Sequence, residues 1–89
     1  MAWQDKIIQE LGKYGIEAHR SGFRNENVTI PPQGMIIAYI VIMKKKNKYE
    51  IYSCSILEQY PKHRLIHEAS SIKSVMSFLR LHLDLCPNH

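Results

Sequence analysis

The chain has 89 residues, of which 45% are apolar, and its formal net charge is +4. This length predicts a single small domain over residues 1–89, and the apolar fraction excludes an intrinsically disordered chain. The positive charge favours acidic partners, such as nucleic acid, an anionic membrane or an acidic protein surface.

Cysteine content and hydropathy limit the cellular compartments in which the protein is expected. The chain has two cysteines, Cys54 and Cys86, which are too few for a secreted disulfide scaffold. The N-terminal residues include no apolar segment long enough for a signal peptide, and no apolar run reaches the roughly 20 residues that span a bilayer. We therefore expect a soluble, cytoplasmic protein with reduced thiols and no membrane partner.

The first predicted element is an amphipathic helix near the N-terminus. Its large apolar residues recur at spacings of three and four, which places them on one helix face: Trp3, Ile7, Leu11 and Tyr14. Gly15 stands where a left-handed residue would end the helix. The alternation from Ile16 to Arg20 then predicts a short strand.

Residues 21–34 form the longest predicted connection, at fourteen residues, and connections of this length in small domains are frequently functional. Pro31 and Pro32 have no backbone N–H and cannot donate to a sheet ladder. Within this connection, Val28–Ile30 is a candidate edge strand.

The segment from Met35 to Leu57 predicts a long β-hairpin at the centre of the sheet. Met35–Met43 is apolar on both faces, as in a central strand, and Tyr49–Leu57 is rich in β-branched and aromatic residues. The polar break between the two arms carries four lysines, so that the hairpin ends in a basic tip: Lys44, Lys45, Lys46 and Lys48.

A further strand and a closing helix complete the predicted fold. The run His63–Glu68 alternates and predicts a strand with Leu65 and His67 on one face. Ser70 or Ser71 can cap the helix that follows. Its core stripe is formed by five apolar residues: Ile72, Val75, Met76, Leu79 and Leu83.

Together these elements predict an α+β fold with the order α-β-(loop)-β-β-β-α. The antiparallel sheet is expected to have three or four strands, with both helices packed on one of its faces. Neither an internal repeat nor a second domain is predicted. The residues expected to be largely buried are Leu11, Ile37, Val41, Ile51, Val75 and Leu79.

The lysine tip is the first candidate functional site, because mobile ammonium groups on a protruding loop can contact successive phosphates. The same lysines would also protect the hairpin from edge-to-edge pairing, which is an alternative reason for their presence. A second basic set comprises Lys62, His63, Arg64 and Lys73, of which Lys62, Arg64 and Lys73 are predicted for the same contact with nucleic acid or an acidic partner.

The start of the closing helix is a candidate anion site. Ser70, Ser71 and Lys73 combine hydroxyls, free backbone N–H groups and one cation at a helix N-terminus. Serine is also an ordinary helix cap. No glycine-rich phosphate loop accompanies the pattern, so no nucleotide cofactor is expected.

The closing helix has more apolar surface than one sheet face needs. The surplus strip consists of Phe78, Leu81 and Leu85, which must meet the first helix, a second protein or water. Exposure to water is the least favourable of the three, so the strip predicts a homodimer through this helix or through an open strand edge.

No pattern in the chain points to catalysis. The element order resembles that of double-stranded RNA-binding domains, but Ser-Ile-Lys-Ser-Val stands where their basic second-helix run belongs. Nuclease cores need an acidic residue on one strand and Glu-x-Lys on the next, and residues 33–36 and 50–52 supply neither. The histidines lack the four committed ligands of a structural zinc site. No enzyme, metal or cofactor is therefore predicted.

The predicted function is a small non-enzymatic binding or regulatory module that presents the basic hairpin to an acidic target. Nucleic acid or a nucleic-acid-handling protein is the most economical target. The alternative is a protein–protein adaptor, inhibitor or oligomeric subunit that acts through the apolar closing helix and a sheet edge. Salt dependence separates the two, because phosphate contacts weaken steeply with salt while an apolar interface barely responds.

Overall fold

The computed structural model describes residues 2–34, 37–57 and 62–85. Two helices and five strands lie within these ranges, in the following order: α1 (Trp3–Gly12), β1 (His19–Ser21), β2 (Asn27–Ile30), β3 (Ala38–Lys44), β4 (Tyr49–Ser55), β5 (Arg64–Ala69) and α2 (Ile72–His82). The strands form one antiparallel sheet in which each strand pairs with the next along the chain. The predicted α+β class is confirmed. No helix in these ranges is long and apolar enough to cross a membrane.

The N-terminal helix and its glycine terminus form as predicted. Gly15 has a φ of 78°, and its N–H donates to the carbonyl of Gly12 at 3.0 Å. The N–H of Ile16 donates to Leu11 at 3.1 Å, which completes a Schellman C-cap. Ile16 is buried in the core after this turn. Pairing with β2 starts only at His19, so the first strand begins there rather than at Ile16.

The segment predicted as a long connection contains an internal strand. β2 pairs with β1 on one side and with β3 on the other, and Thr29 lies opposite both His19 and Val41. The predicted three or four strands are therefore five. A strand of four residues is too short for its alternation to stand out in the sequence. Pro31 and Pro32 follow immediately, beyond the paired residues, where the ladder needs no N–H from them.

The central hairpin is confirmed, with shorter arms than predicted. β3 and β4 pair along their whole lengths. The turn between them is closed by a hydrogen bond from the Lys45 N–H to the Lys48 carbonyl at 2.8 Å. Of the outer predicted positions, Leu57 lies in a turn after β4, whereas residues 35 and 36 lie outside the described residues.

Alternation along the strands separates a core face of the sheet from an outer face. Ile40, Ile42 and Ile51 lie in one buried cluster with apolar side chains of both helices. Within this core, α1 packs on β2, and α2 packs on β4 and β5. The outer face consists of the intervening residues, which do not belong to the core cluster; on the central hairpin its members include Tyr39, Val41, Tyr52 and Cys54.

Five of the six residues predicted to be buried are buried: Leu11, Val41, Ile51, Val75 and Leu79. The prediction for Ile37 is wrong, because its side chain is 48% exposed. Ile37 precedes β3 by one residue, and alternation places it on the outer face rather than in the core.

A β-bulge in β5 changes the predicted facing of its side chains. The pairing of β5 with β4 skips Ile66, which is an extra residue in the ladder. Leu65 stays on the outer face, opposite Tyr52. His67 instead turns towards α2 and stacks on Phe78, with 4.2 Å between the ring centroids. The expectation that Leu65 and His67 share a face is therefore wrong.

Candidate functional site

Two hairpin turns lie at the same end of the sheet. Because β2 and β3 are antiparallel, with Val28 opposite Ile42, the turn before β2 lies beside the turn after β3. Adjacent strands are about 4.8 Å apart, so the turns at residues 22–26 and 45–48 are neighbours. This end of the sheet, defined by the two turns, is named the loop end. Both helices also begin there, as shown by a hydrogen bond of 3.1 Å from Gln4 Nε2 to the Glu26 carbonyl and by the passage of β5 into α2.

The lysine tip has acidic neighbours that the sequence did not reveal. Lys48 Nζ lies 2.9 Å from Glu68 Oε1 and 3.7 Å from Glu50 Oε2. The hydrogen bond to Glu68 raises the pKa of Lys48 above its ordinary value. Lys45 Nζ lies 3.9 Å from Glu50 Oε1. Two of the four tip lysines therefore have carboxylate partners within the chain, and Lys48 serves to join β4 to β5.

Lys44 and Lys46 keep their charge available for a partner. Lys44 Nζ lies 5.8 Å from the centroid of the Tyr49 ring, and such a cation–π contact positions the ammonium group without cancelling its charge. Lys46 is exposed within the turn, and no ion pair involves it among the described residues. These two lysines, with Lys45 in part, form the accessible charge of the tip.

The turn between β1 and β2 presents an aromatic side chain that sequence analysis did not single out. Phe23 is 78% exposed, and the guanidinium carbon of Arg24 lies 5.1 Å from its ring centroid. An exposed ring with a stacked guanidinium is a surface on which a further planar group can stack. The available signal was a Phe-Arg pair between glycine and asparagine in a segment flanked by two short strands.

The backbone of this turn fixes the position of Phe23. Gly22, Arg24 and Asn25 have positive φ angles of 79°, 59° and 55°. The Asn25 N–H donates to the Gly22 carbonyl at 3.1 Å. Gly22 has a φ of 79° and a ψ of −173°, a backbone conformation open essentially only to glycine, and a Cβ there would also displace the Asn27 amide, whose Nδ2 would lie 2.6 Å away. The turn between β1 and β2 and the lysine tip together form a surface that is named the loop-end surface and consists of Phe23, Arg24, Lys44, Lys45 and Lys46.

The remaining predicted cations lie in other places. Lys73 is in the first turn of α2, which follows β5 at the loop end. Lys62 and Arg64 lie towards the opposite end of the sheet, since Arg64 pairs with Ser53. Ser53 is four residues along β4 from Tyr49, a distance of about 13 Å. The seven predicted cations therefore occupy two ends of the sheet rather than one surface.

The predicted anion site at the start of the closing helix has a capping role. Ser71 is the N-cap, and its Oγ accepts a hydrogen bond from the Ser74 N–H at 3.1 Å. The Ser71 hydroxyl also donates to Ser74 Oγ at 3.1 Å. Both contacts satisfy groups of the helix itself. Anion binding by Ser70, Ser71 and Lys73 stays a prediction.

The apolar strip of the closing helix is largely covered within the chain. The Phe78 ring stacks against His67 at 4.2 Å and against His82 at 5.3 Å, measured between ring centroids. Leu85 packs against the core, whereas Leu81 is 85% exposed. Sequence analysis did not anticipate the covering by His67, because that side chain reaches α2 only through the bulge in β5.

Self-association through Phe78, Leu81 and Leu85 stays a prediction, and Leu81 is the residue that tests it. If two chains pack along this strip, Leu81→Glu introduces two carboxylates into the interface, and we expect it to shift the equilibrium to a single chain. Light scattering at micromolar protein measures the mass, and Leu57→Glu, also at an exposed leucine, is the control. A mass that Leu81→Glu leaves unchanged contradicts the prediction.

The outer face carries an aromatic cluster away from the loop end. The His63 ring lies edge-on to both Tyr39 and Tyr52, with 6.3 Å between centroids in each case. The Tyr52 hydroxyl donates to Glu50 at 2.8 Å, and this carboxylate raises the pKa of Tyr52. A hydrogen bond with the Cys54 thiol raises the pKa of Tyr39. Both hydroxyls therefore have partners within the chain.

Metal binding finds no support in the part of the chain that the structure describes. Among these residues, no group of three His, Cys, Asp or Glu side chains could hold a metal ion. Cys54 is a buried free thiol on the outer face of the sheet. The expectation that the chain is not an enzyme stays a prediction.

Comparison with known proteins adds no relative. No protein-family model, no curated protein and no solved structure matches the chain. The function of the chain is therefore inferred from its own side chains.

Proposed function

We propose that this protein is a small non-enzymatic module that binds single-stranded nucleic acid through the loop-end surface. The observation that carries the proposal is the exposed Phe23 ring, with Arg24 stacked on it, in a turn beside the lysine tip. Aromatic platforms next to cations are the combination by which proteins commonly hold single strands.

Each group of the loop-end surface has a separate role in this proposal. Phe23 stacks on an unpaired base, and Arg24 extends that platform towards the neighbouring phosphate. Lys44, Lys45 and Lys46 contact phosphates and release condensed counterions. A base inside a duplex is already stacked on its neighbours, so the aromatic contact favours single strands over double strands.

The acidic residues near the tip set limits on this binding. Glu50 and Glu68 hold Lys48, so that the start of β4 and the end of β5 are joined where the tip begins. The same carboxylates reduce the net positive charge that a strand would meet. We therefore expect modest affinity that depends strongly on salt, in keeping with a net charge of +4.

The proposal is tested by the salt dependence of oligonucleotide binding after two of the tip lysines are replaced. The double variant Lys45→Gln/Lys46→Gln is expected to weaken binding of a labelled single-stranded oligonucleotide of mixed sequence. The slope of log affinity against log salt is expected to become shallower by at most about 1.4, since each phosphate contact on a single strand contributes about 0.7 and Lys45 is partly paired with Glu50. Fluorescence anisotropy between about 50 and 200 mM salt measures both quantities.

The matched control is Lys6→Gln/Lys13→Gln, which removes the same charge from α1 and its C-cap residue. An equal loss in both double variants would show that net charge alone matters and would contradict a defined surface. Absence of binding by the unmodified protein at about 50 mM salt would contradict nucleic-acid recognition altogether. Both double variants should keep their stability within about 0.5 kcal/mol, because exposed surface changes have small effects.

A groove between the two helices favours a second candidate function, a protein adaptor that acts through α2. The groove has a volume of about 650 Å³, and its lining includes two apolar side chains and three cations: Ile72, Met76, Lys6, Lys73 and Arg80. Glu10, which also lines it, is paired with Lys13 at 3.0 Å. This combination is complementary to an amphipathic helix with acidic residues. Binding of such a peptide in the presence of saturating oligonucleotide would favour this candidate.

A further inference from the structure

We propose that a polar pocket at the end of the sheet opposite the loop end binds a phosphomonoester dianion. The pocket has a volume of about 280 Å³ and is lined by Ser53, Ser55, Lys62, His63 and Arg64. Its residues are separate from the loop-end surface, so this inference goes beyond the proposed function and does not depend on it.

The fold creates the pocket where the helix-facing side of β4 changes from apolar to polar. Tyr49 and Ile51 face the core and are buried beneath the helices. Ser53 and Ser55 continue the same face of the strand by alternation. Arg64 lies directly opposite Ser53 in the ladder, which brings its side chain beside the two hydroxyls.

The pocket is rich in hydrogen-bond donors. Ser55 Oγ accepts the Leu57 N–H at 3.2 Å, so its own O–H is left to donate. The Arg64 guanidinium offers a planar fork of N–H groups that matches two phosphate oxygens, and Lys62 adds an ammonium group. No acidic side chain among the described residues lines the pocket. The His63 ring contacts tyrosines of the outer face and is not counted among the donors.

The charge of the pocket differs from that of the lysine tip. Lys48 has two carboxylate partners, whereas no ion pair involves Lys62 or Arg64 in the part of the chain that is described. Two neighbouring cations repel each other, and a bound dianion replaces this repulsion with attraction to both of them. A phosphomonoester carries a charge of about −1.5 to −2 at neutral pH, which matches the two cations.

The size of the pocket is compatible with this ligand. Liquid water occupies about 30 Å³ per molecule, so the pocket corresponds to about nine waters. A phosphate group with the first atoms of its ester substituent fits such a volume. A terminal phosphate, with a charge of about −1.5 to −2, complements the two cations better than an internal phosphodiester, which carries a single charge.

Nuclear magnetic resonance titration with inorganic phosphate and with a nucleoside 5′-monophosphate tests the inference. We expect saturable shifts of the amide signals of Ser53, Ser55 and Arg64. Arg64→Gln should weaken binding about tenfold, because a charge-assisted bidentate contact is lost. Arg64→Lys keeps the charge but lacks the planar fork of N–H groups, so its phosphate affinity should lie between those of the unmodified protein and Arg64→Gln. Lys13→Gln, which removes one charge at the C-cap of α1, is the matched control and should bind as the unmodified protein does.

Absence of saturable shifts at millimolar phosphate overturns the inference, as do shifts confined to the loop end. Equal weakening by Lys13→Gln and Arg64→Gln also overturns it. Oligonucleotides with a 5′-phosphate or a 5′-hydroxyl then distinguish the source of the ligand. A preference for the 5′-phosphate that Arg64→Gln abolishes identifies a strand end, whereas equal binding of the two identifies a small free phosphomonoester. The variant Lys45→Gln/Lys46→Gln should retain phosphate binding even if nucleic-acid binding fails.

Discussion

Replacing Phe23 with serine is expected to lower the affinity for single-stranded nucleic acid by about 5- to 150-fold, since stacking one base on an aromatic ring contributes about 1–3 kcal/mol. Because the ring is exposed in the free protein, its removal should change the free energy of unfolding by less than about 0.5 kcal/mol. Fluorescence anisotropy measures the first quantity. Urea unfolding followed by the emission of Trp3, which contacts Tyr49 at the core, measures the second.

Two further variants separate stacking from general exposure of apolar surface. Phe23→Tyr keeps an aromatic ring and is expected to bind nearly as well as the unmodified protein. Leu81→Ser removes a side chain of similar exposure on α2 and is expected to leave binding unchanged. If Phe23→Tyr is as weak as Phe23→Ser, or if Leu81→Ser weakens binding equally, base stacking at Phe23 is ruled out.

Ile51→Ala is expected to destabilise the protein by about 2–5 kcal/mol, a large part of the total stability of a domain of this size. Ile51, a residue of β4, is 0% exposed and belongs to the buried cluster that includes side chains of both helices, so its truncation leaves a cavity that the surrounding residues fill poorly. The measurement is the urea concentration at half-unfolding, from which the free energy of unfolding is obtained.

The same substitution on an exposed isoleucine is the control for this effect. Ile56 follows β4 and is 52% exposed, so Ile56→Ala should change the free energy of unfolding by less than about 0.5 kcal/mol. A loss below about 1 kcal/mol for Ile51→Ala would be inconsistent with its place in the core. Similar losses for the two variants would lead to the same conclusion.

Long periodic segments could be predicted from the sequence. The helix stripe of Trp3, Ile7 and Leu11 extends over about two turns, and the two arms of the central hairpin are each seven residues long. In both elements, enough apolar residues recur for their periodic spacing to be distinguished from a random arrangement. β2 has four residues, and its position inside the sheet depends on partners on both sides, which no local pattern encodes. The bulge at Ile66 likewise follows from the ladder with β4.

The candidate site was predictable in part for the same reason. Consecutive lysines at a turn are visible in the chain, but Glu68, which binds Lys48, comes twenty residues later and meets it through strand pairing. Phe23 and the tip become neighbours only because β2 is an internal strand. The charges of the loop end are thus visible in the sequence, whereas the proximity of the aromatic ring and the internal ion pairs depend on the register of the sheet.

The order of the strands has a consequence for how the chain folds. Every strand pair joins segments that are consecutive in the chain, so the sheet can assemble through successive closures of short loops, each with a small entropy cost. The contact between α1 and α2, in contrast, joins the two ends of the chain. We therefore expect the paired strands to form early and the packing of α1 against α2 to form late, with a folding rate typical of topologies dominated by local pairing.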